Sequence, residues 1–236
     1  LLQQARYWQQ QNRPDLALSS FDRVLAADPR NTEALAGAAE AQAAMGNRSA
    51  AEALLGRLRA VAPGSPGIAG TQEALRGAAV SRDAIDEARK LAREGRVPEA
   101  LTRYRDAFGG GTPPSAYAVE YWLTVAGTSG GWEEGRQQLA AIAARRPQDV
   151  RARVAAAQVL TWREATRAQG ITELAALARD PAAAPQALQA WRQALLWLGT
   201  GPSAEGPLRA FLAVRPGDAE IERRLAEVID PTRRAA

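Results

Sequence analysis

Apolar side chains recur along most of the chain at intervals of three and four residues, a spacing that places them on one face of an α-helix. Three segments have this spacing: Leu35, Ala38, Ala39 and the polar Gln42; Val119, Trp122, Leu123 and Ala126; and Leu188, Trp191 and Leu195. The alternation typical of half-buried strands is not sustained anywhere. The pattern therefore predicts an all-α protein in which Trp122 and Trp191 are interior.

The helical pattern also repeats with a period close to 34 residues. Pro29 and Pro63 are 34 residues apart, and each ends an apolar segment. The same interval separates Ala17 from Ala51. Four later copies end at Pro113, Pro147, Pro181 and Pro216. These six units resemble the tetratricopeptide repeat, a helix pair in which a small residue allows close crossing and a proline ends the second helix.

One interval between closing prolines is longer than the others. Pro63 and Pro113 are 50 residues apart, an excess of 16 over the 34-residue period. The excess is about one helix, and residues 68–80 are predicted to form it. We therefore predict a right-handed superhelical solenoid of about fourteen helices, with one inserted non-repeat helix. Its predicted parts are a two-repeat block (1–65), an inserted helix and hinge (66–80), a four-repeat block (81–217) and a capping helix or next repeat (218–236).

Composition removes most catalytic and metal-binding chemistry. The 236 residues contain no Cys and no His, which excludes thiolate and imidazole nucleophiles, zinc fingers and disulfides. The bases are interleaved with acids at a net charge of +4, so nucleic-acid binding is not expected. Neighbouring carboxylates such as Glu133 and Glu134 are ordinary on a solvated helix. We expect no enzymatic activity, cofactor or metal.

The resemblance to tetratricopeptide solenoids implies a ligand groove on the concave surface, lined by the first helix of each pair. Counting back from each closing proline predicts the residues of this groove. They are Arg6, Glu40, Arg89, Glu120, Thr124, Gln158, Gln189 and Gln193, with Trp162 and Trp197 near the inner edge. Aromatic faces beside amide groups suit either sugar rings or the rim of a protein interface.

A more specific resemblance lies in residues 119–126, which read Val-Glu-Tyr-Trp-Leu-Thr-Val-Ala after the Gly-Gly-Thr-Pro-Pro turn at 110–114. With the openings at 11–17 and 27–31, this segment resembles the periplasmic repeat region of the C subunit family of bacterial cellulose synthase. The resemblance implies a non-catalytic periplasmic scaffold that links the inner-membrane synthase to the outer-membrane pore and guides the glucan. Implied partners are the other synthase subunits, cellulose itself and a covalently continuous outer-membrane barrel in the full-length protein.

Two other functions remain open on the residues alone. A protein-binding assembly factor or co-chaperone of another system would use the same repeats and the same groove. A regulatory repeat domain attached to an enzyme would do so as well. The chain begins without Met or an apolar leader, so we expect a mature form or an excised fragment.

Overall fold

The computed structural model describes residues 1–230, which form fourteen α-helices and one short 3-10 helix without any strand. The helices are α1 (Leu2–Gln10), α2 (Pro14–Ala27), α3 (Thr32–Ala44), α4 (Arg48–Val61), α5 (Gly67–Ala78), α6 (Arg82–Arg93), α7 (Val97–Ala107), α8 (Ala118–Ala126), α9 (Trp132–Arg145), α10 (Val150–Leu160), α11 (Glu164–Leu177), α12 (Ala184–Leu196), α13 (Glu205–Val214) and α14 (Ala219–Ile229), with the 3-10 helix at Pro202–Ala204. Helix α14 lies in the predicted capping segment 218–236, whose residues 231–236 are outside the described part.

Three boundaries between helix pairs have the same kind of helix N-cap. At each, an Asn or Asp two residues after the closing proline caps the next helix, accepting a hydrogen bond from the backbone N–H three residues ahead. The three capping residues and their N–H donors are Asn31 with Ala34 (3.0 Å), Asp149 with Ala152 (3.1 Å) and Asp218 with Ile221 (3.3 Å). The proline ends one helix and the polar residue starts the next, which sets the repeat length.

The chain divides into two compact units. The first unit comprises Leu1–Leu91 and Thr102–Ala118, and the second comprises Ala92–Leu101 and Val119–Ala236. Helix α3 is central in the first unit because it packs against α2, α4 and α5. Eight of its thirteen residues are buried, and all but Leu35 are Ala or Gly. A Cβ on Gly37 would lie 2.1 Å from Cζ of Phe21, so only glycine leaves room for that ring.

Helix α5 is where the structure departs from the predicted organisation. It was expected to interrupt the packing between repeats, yet it packs against α3 and α4. Ile68 contacts the cluster formed by Leu35, Ala36 and Leu58, and Gly67 lies directly against Ala36. Helix α5 thus has the place of a first helix in the next pair, and the predicted division into blocks stays a prediction. A hinge at 66–80 stays a prediction.

The second unit has a core rich in large side chains. Trp191 is 2% exposed and lies edge-on to Phe211, with ring centroids 5.1 Å apart and an interplanar angle of 85°. Its indole N–H has no hydrogen-bond partner among the described residues. The predicted interior position of Trp191 is therefore confirmed. Trp122 is only half-buried against the α9 and α10 side chains, whereas its neighbour Tyr121 is buried. Side chains on two faces of α8 pack against other residues, whereas the sequence pattern predicted one interior face.

Candidate functional site

Two of the predicted groove residues line one cleft in the first unit. Arg6 and Glu40 border a cavity of about 450 Å³, together with Gln9, Glu33 and the turn at Gly67. The Arg6 guanidinium Nε donates to Glu33 Oε1 at 2.6 Å, which ties α1 to α3 across the cleft. The α3 wall of the cleft consists of small residues together with an aromatic ring from α2 that covers them in part.

Glu40 is the most unusual charge in this cleft. Its Oε2 accepts a 3.3 Å hydrogen bond from Gln9 Nε2. Its Oε1 lies against Gly70, so close that a Cβ on that glycine would be only 2.7 Å from Oε1. Burial raises the pKa of the Glu40 carboxyl, and the hydrogen bond from Gln9 opposes this only in part. Within residues 1–230 no cation forms an ion pair with Glu40. The carboxylate is therefore available to a hydrogen-bond donor from outside the chain.

A second cavity, of about 530 Å³, continues from Glu40 along α5 to the segment 114–117. Its walls include Gly70, Glu73, Gly77 and Tyr117, none of which the sequence had singled out. Glu73 accepts a hydrogen bond from the backbone N–H of Ser115, which holds this segment against α5. The omission follows from treating α5 as an insertion, because the 34-residue count then skipped it as a source of groove residues.

A different kind of site lies in the second unit. Trp162 and Trp197, predicted to lie near the inner edge of the groove, line one cavity of about 350 Å³. We call this the tryptophan pocket, and its other lining residues are Ala126, Gly127, Thr128, Ser129, Trp132 and Arg163. Trp197 is 44% exposed at the C-terminal end of α12. The third indole, Trp132, was missed because its sequence position does not distinguish an interior residue from one beside a turn.

The Trp132 ring is fixed from several directions. Its Nε1 donates to the backbone carbonyl of Val159 at 2.9 Å. The guanidinium carbons of Arg136 and Arg163 each lie 5.6 Å from the ring centroid, within cation–π distance. Arg136 is also paired with Glu133, and hydrogen bonds from Arg136 and then Gln137 lower the pKa of that carboxyl. Among the described residues Arg163 has no carboxylate partner.

The other predicted residues do not join either site. Arg89 pairs with Asp86 at 3.1 Å on α6. The Thr124 hydroxyl donates to the Glu120 carbonyl at 2.8 Å within α8. Of the three glutamines, Gln189 and Gln193 lie one turn apart on α12, whereas Gln158 lies on α10. Gln158 is half-buried near the end of α10, Gln193 is exposed, and Gln189 borders a fourth cavity with Arg192, Phe211 and Asp218. The predicted groove thus comprises several distinct surfaces.

Comparison with known proteins gives these surfaces a family context. The Tetratricopeptide repeat model matches residues 9–75, a stretch that includes α2 to α4 and most of α5. Cellulose synthase operon protein C of Xanthomonas axonopodis pv. citri is 39% identical over 234 residues, and that of Komagataeibacter xylinus is 36% identical over 229. These alignments cover 97% and 95% of this chain. The predicted resemblance to the C subunit of cellulose synthase is confirmed.

A solved structure agrees with the sequence relatives. The crystal structure of the flexible tandem repeat domain from the C subunit of bacterial cellulose synthase matches 100% of this chain and 97% of its own, with a TM-score of 0.58 and 27% identity. Together with the helix pairs, this match confirms the all-α tetratricopeptide solenoid class. The chain spans only 15% and 17% of the length of the two operon protein C relatives. No helix in residues 1–230 has the length and apolar content needed to span a bilayer.

Proposed function

We propose that this chain is a non-catalytic tetratricopeptide scaffold of a bacterial cellulose synthase and export complex, located in the periplasm. One observation carries the proposal: the match to the tandem repeat domain of the cellulose synthase C subunit extends over nearly the whole of both chains. In this role the repeats link the inner-membrane synthase to an outer-membrane pore. They also guide the glucan between the two.

The arrangement of the helices supports a scaffold. Each repeat contacts chiefly its neighbours, so a row of repeats presents an extended surface rather than one enclosed pocket. The clefts on α1, α3 and α5 offer charged and small side chains, which suit a polypeptide segment of another protein in the complex. The described residues contain no cluster of metal-ligating side chains. Binding and positioning are therefore the chemistry that these surfaces support.

Guidance of a polymer requires weak contacts. A site that bound tightly would stall a chain that must keep moving, whereas several weak contacts in a row restrain its path without stopping it. In the second unit, Gln193 and Trp197 are exposed to solvent. This design fits a surface along which a ligand slides.

Removal of the repeats from the full-length protein tests the proposal. In a cellulose-producing cell, deletion of residues 1–230 from the full-length chain should abolish cellulose outside the cell. Synthase activity in isolated inner membranes should be unchanged, because the scaffold takes no part in polymerisation. A matched control replaces the same region with an unrelated tetratricopeptide array of equal repeat number, which should not restore export. Normal export by either variant would contradict the scaffold role.

A further inference from the structure

We propose that the tryptophan pocket is a binding site for the pyranose rings of a neutral, β-linked glucan. The proposal rests on the proposed function, because it assigns the surface that touches the exported polymer. Three indoles from three successive helix pairs meet in this pocket: Trp132 at the start of α9, Trp162 just after α10 and Trp197 just after α12. Each lies at the turn between the two helices of its pair.

The position of the indoles follows from the repeat itself. Because each pair contributes its turn to the same edge of the unit, one aromatic residue per turn produces a row in the direction of stacking. Trp162 and Trp197 are 35 residues apart, close to one repeat. A linear polymer whose own units recur at short intervals can contact such a row at more than one point. A compact ligand would not use the row.

The exposed indole of Trp197 is the main aromatic surface that the pocket offers, because two guanidinium groups already lie over the Trp132 ring. Equatorial substitution in β-linked glucose leaves axial C–H groups on both ring faces, and these weakly positive hydrogens pack against the negative face of an indole. Trp197 leaves 44% of its surface in water, although burial of an indole is strongly favourable. A sugar ring that covers this face would recover that free energy.

The polar groups of the pocket favour a neutral ligand with hydroxyl groups. No acidic side chain lines the cavity, and Arg163 gives it a positive charge, so a basic peptide is disfavoured. The guanidinium of Arg163 has no carboxylate partner among the described residues, which leaves its N–H groups available to hydroxyl oxygens. The exposed hydroxyl of Ser129 can both donate and accept. The charged clefts of the first unit lack this combination.

The pocket is formed before any ligand arrives. Trp132 is held by its hydrogen bond to Val159, and Trp162 packs against the Ala126, Leu139, Ala155 and Val159 cluster. The Thr128 hydroxyl donates to the Val125 carbonyl at 2.7 Å and accepts from the Gly131 N–H at 3.0 Å, which fixes the turn at the pocket edge. Little ordering is needed on binding, so even a weak aromatic contact is not lost to entropy.

Titration of this chain with cellohexaose tests the site, with tryptophan emission and calorimetry as readouts. We expect a dissociation constant of about 0.1 to 1 mM, and weaker binding of maltohexaose, whose α-linkages curve the chain away from a straight row. Trp197→Ala should weaken cellohexaose binding about tenfold, and Arg163→Gln about threefold. Tyr7→Ala removes a similarly exposed aromatic side chain in the first unit and should leave the affinity unchanged.

Circular dichroism and thermal melting of each variant establish that it is folded, and Trp197 is a suitable target because it is exposed. Unchanged affinity in folded Trp197→Ala overturns the proposal, as does the absence of any heat or emission change at about 10 mM cellohexaose. Equal binding of an uncharged aromatic peptide that competes with cellohexaose would overturn it in favour of a protein partner. Lost export on deletion of the repeats, with no glucan binding, would retain the scaffold and reject the pocket. Glucan binding by this chain together with normal export after deletion would retain the pocket and reject the scaffold.

Discussion

The two units fill equivalent interior positions with side chains of very different size. Ala38 on α3 and Trp191 on α12 both lie 25 residues before their closing prolines, Pro63 and Pro216. Ala38 is fully buried and Trp191 is 2% exposed. In the first unit the large side chain is on the neighbouring helix α2, because the Phe21 ring fills the space over Gly37 of α3. In the second unit the large side chain, Trp191, is on the first helix of the pair, α12.

The comparison shows that this architecture fixes the volume between helices rather than the residue that fills it. A ring from one helix and a glycine on the other produce the same close packing as two rings packed edge to face. The two arrangements are destabilised by opposite substitutions. Adding a methyl group at the glycine overpacks the first, and truncating the large ring leaves a cavity in the second.

The largest effect is expected for Trp191→Ala, which should lower the free energy of unfolding by about 3 to 5 kcal/mol because it empties a closed core. Urea unfolding followed by circular dichroism measures it. Trp191→Phe should cost only about 1 to 2 kcal/mol, since it retains an aromatic ring and removes a buried N–H that lacks a partner. Trp197→Ala is the exposed control, expected within about 1 kcal/mol of the parent. If Trp191→Ala and Trp197→Ala lowered the free energy of unfolding by similar amounts, Trp197 would be part of the core and not an exposed residue of the pocket.

The opposite change in the first unit, Gly37→Ala, should cost about 1 to 3 kcal/mol by overpacking. The added methyl would sit 2.1 Å from the Phe21 ring, which must move. Phe21→Leu alone also destabilises, but the double variant should be more stable than the sum of the two losses, because the smaller side chain makes room for the methyl. Strictly additive losses would mean that Gly37 and Phe21 do not share one space. Gly56→Ala, whose Cβ has open space around it, is the control.

Ion pairs between successive first helices sharpen the comparison further. In the second unit, Arg192 Nε donates to Asp218 Oδ2 at 2.6 Å, and the Asp218 side chain is 18% exposed. In the first, Arg6 and Glu33 are 59% and 39% exposed. Asp218→Asn, which retains the helix cap, should cost about 1 kcal/mol at neutral pH, whereas Glu33→Gln should cost less than about 0.5 kcal/mol because solvent screens that pair.

The cost of Asp218→Asn should also depend on pH. The hydrogen bonds from the Arg192 guanidinium hold the pKa of Asp218 below its ordinary value, and the α14 N–H contributes in the same direction. A lowered pKa in the folded state gives stability that is present above the unfolded value of about 3.9 and is lost as the pH falls through the folded value. The free energies of unfolding of the parent and of Asp218→Asn should therefore become equal in acid. A constant difference down to about pH 2 would contradict the pairing.

The effect expected at Glu40 has the opposite sign. Burial raises the pKa of this carboxyl in the folded state, so its ionised form is a cost to folding once the pH exceeds that value. Glu40→Gln should therefore raise stability at pH 7 by less than about 1 kcal/mol and have less effect near pH 4, where the carboxyl retains its proton. Thermal melting at the two pH values measures it. Destabilisation at pH 7 would show that the Glu40 charge is satisfied within the fold.

Local signals in the sequence were enough to predict the helix pairs. The prolines end helices through their own covalent structure, and small residues recur wherever two helices cross, so periodicity alone reveals both. The 35-residue spacing of Trp162 and Trp197 likewise indicates equivalent places in successive units, and the structure brings both into one pocket. These features depend on residues close in the chain.

Features that depend on which elements meet could not be predicted in this way. Helix α5 interrupts the 34-residue count, but its packing depends on Gly67 fitting against Ala36, a contact that spacing does not reveal. The same applies to Trp132, whose role at the pocket depends on Val159 from the next pair. On α8, adjacent aromatic residues made the interior face ambiguous, and Tyr121 rather than Trp122 is the more buried. Long-range complementarity decides such cases.

The capped boundaries at Asn31, Asp149 and Asp218 have a consequence for how the chain reaches its structure. Starting a helix is the slow step in helix formation, and a side chain that already satisfies an early N–H makes that step easier. Helices α3, α10 and α14 therefore have built-in nucleation points, distributed through the chain rather than concentrated at one end. We expect folding to begin at more than one boundary and to spread outward to the uncapped helices. The emerging chain would then gain ordered segments in turn while synthesis is still under way.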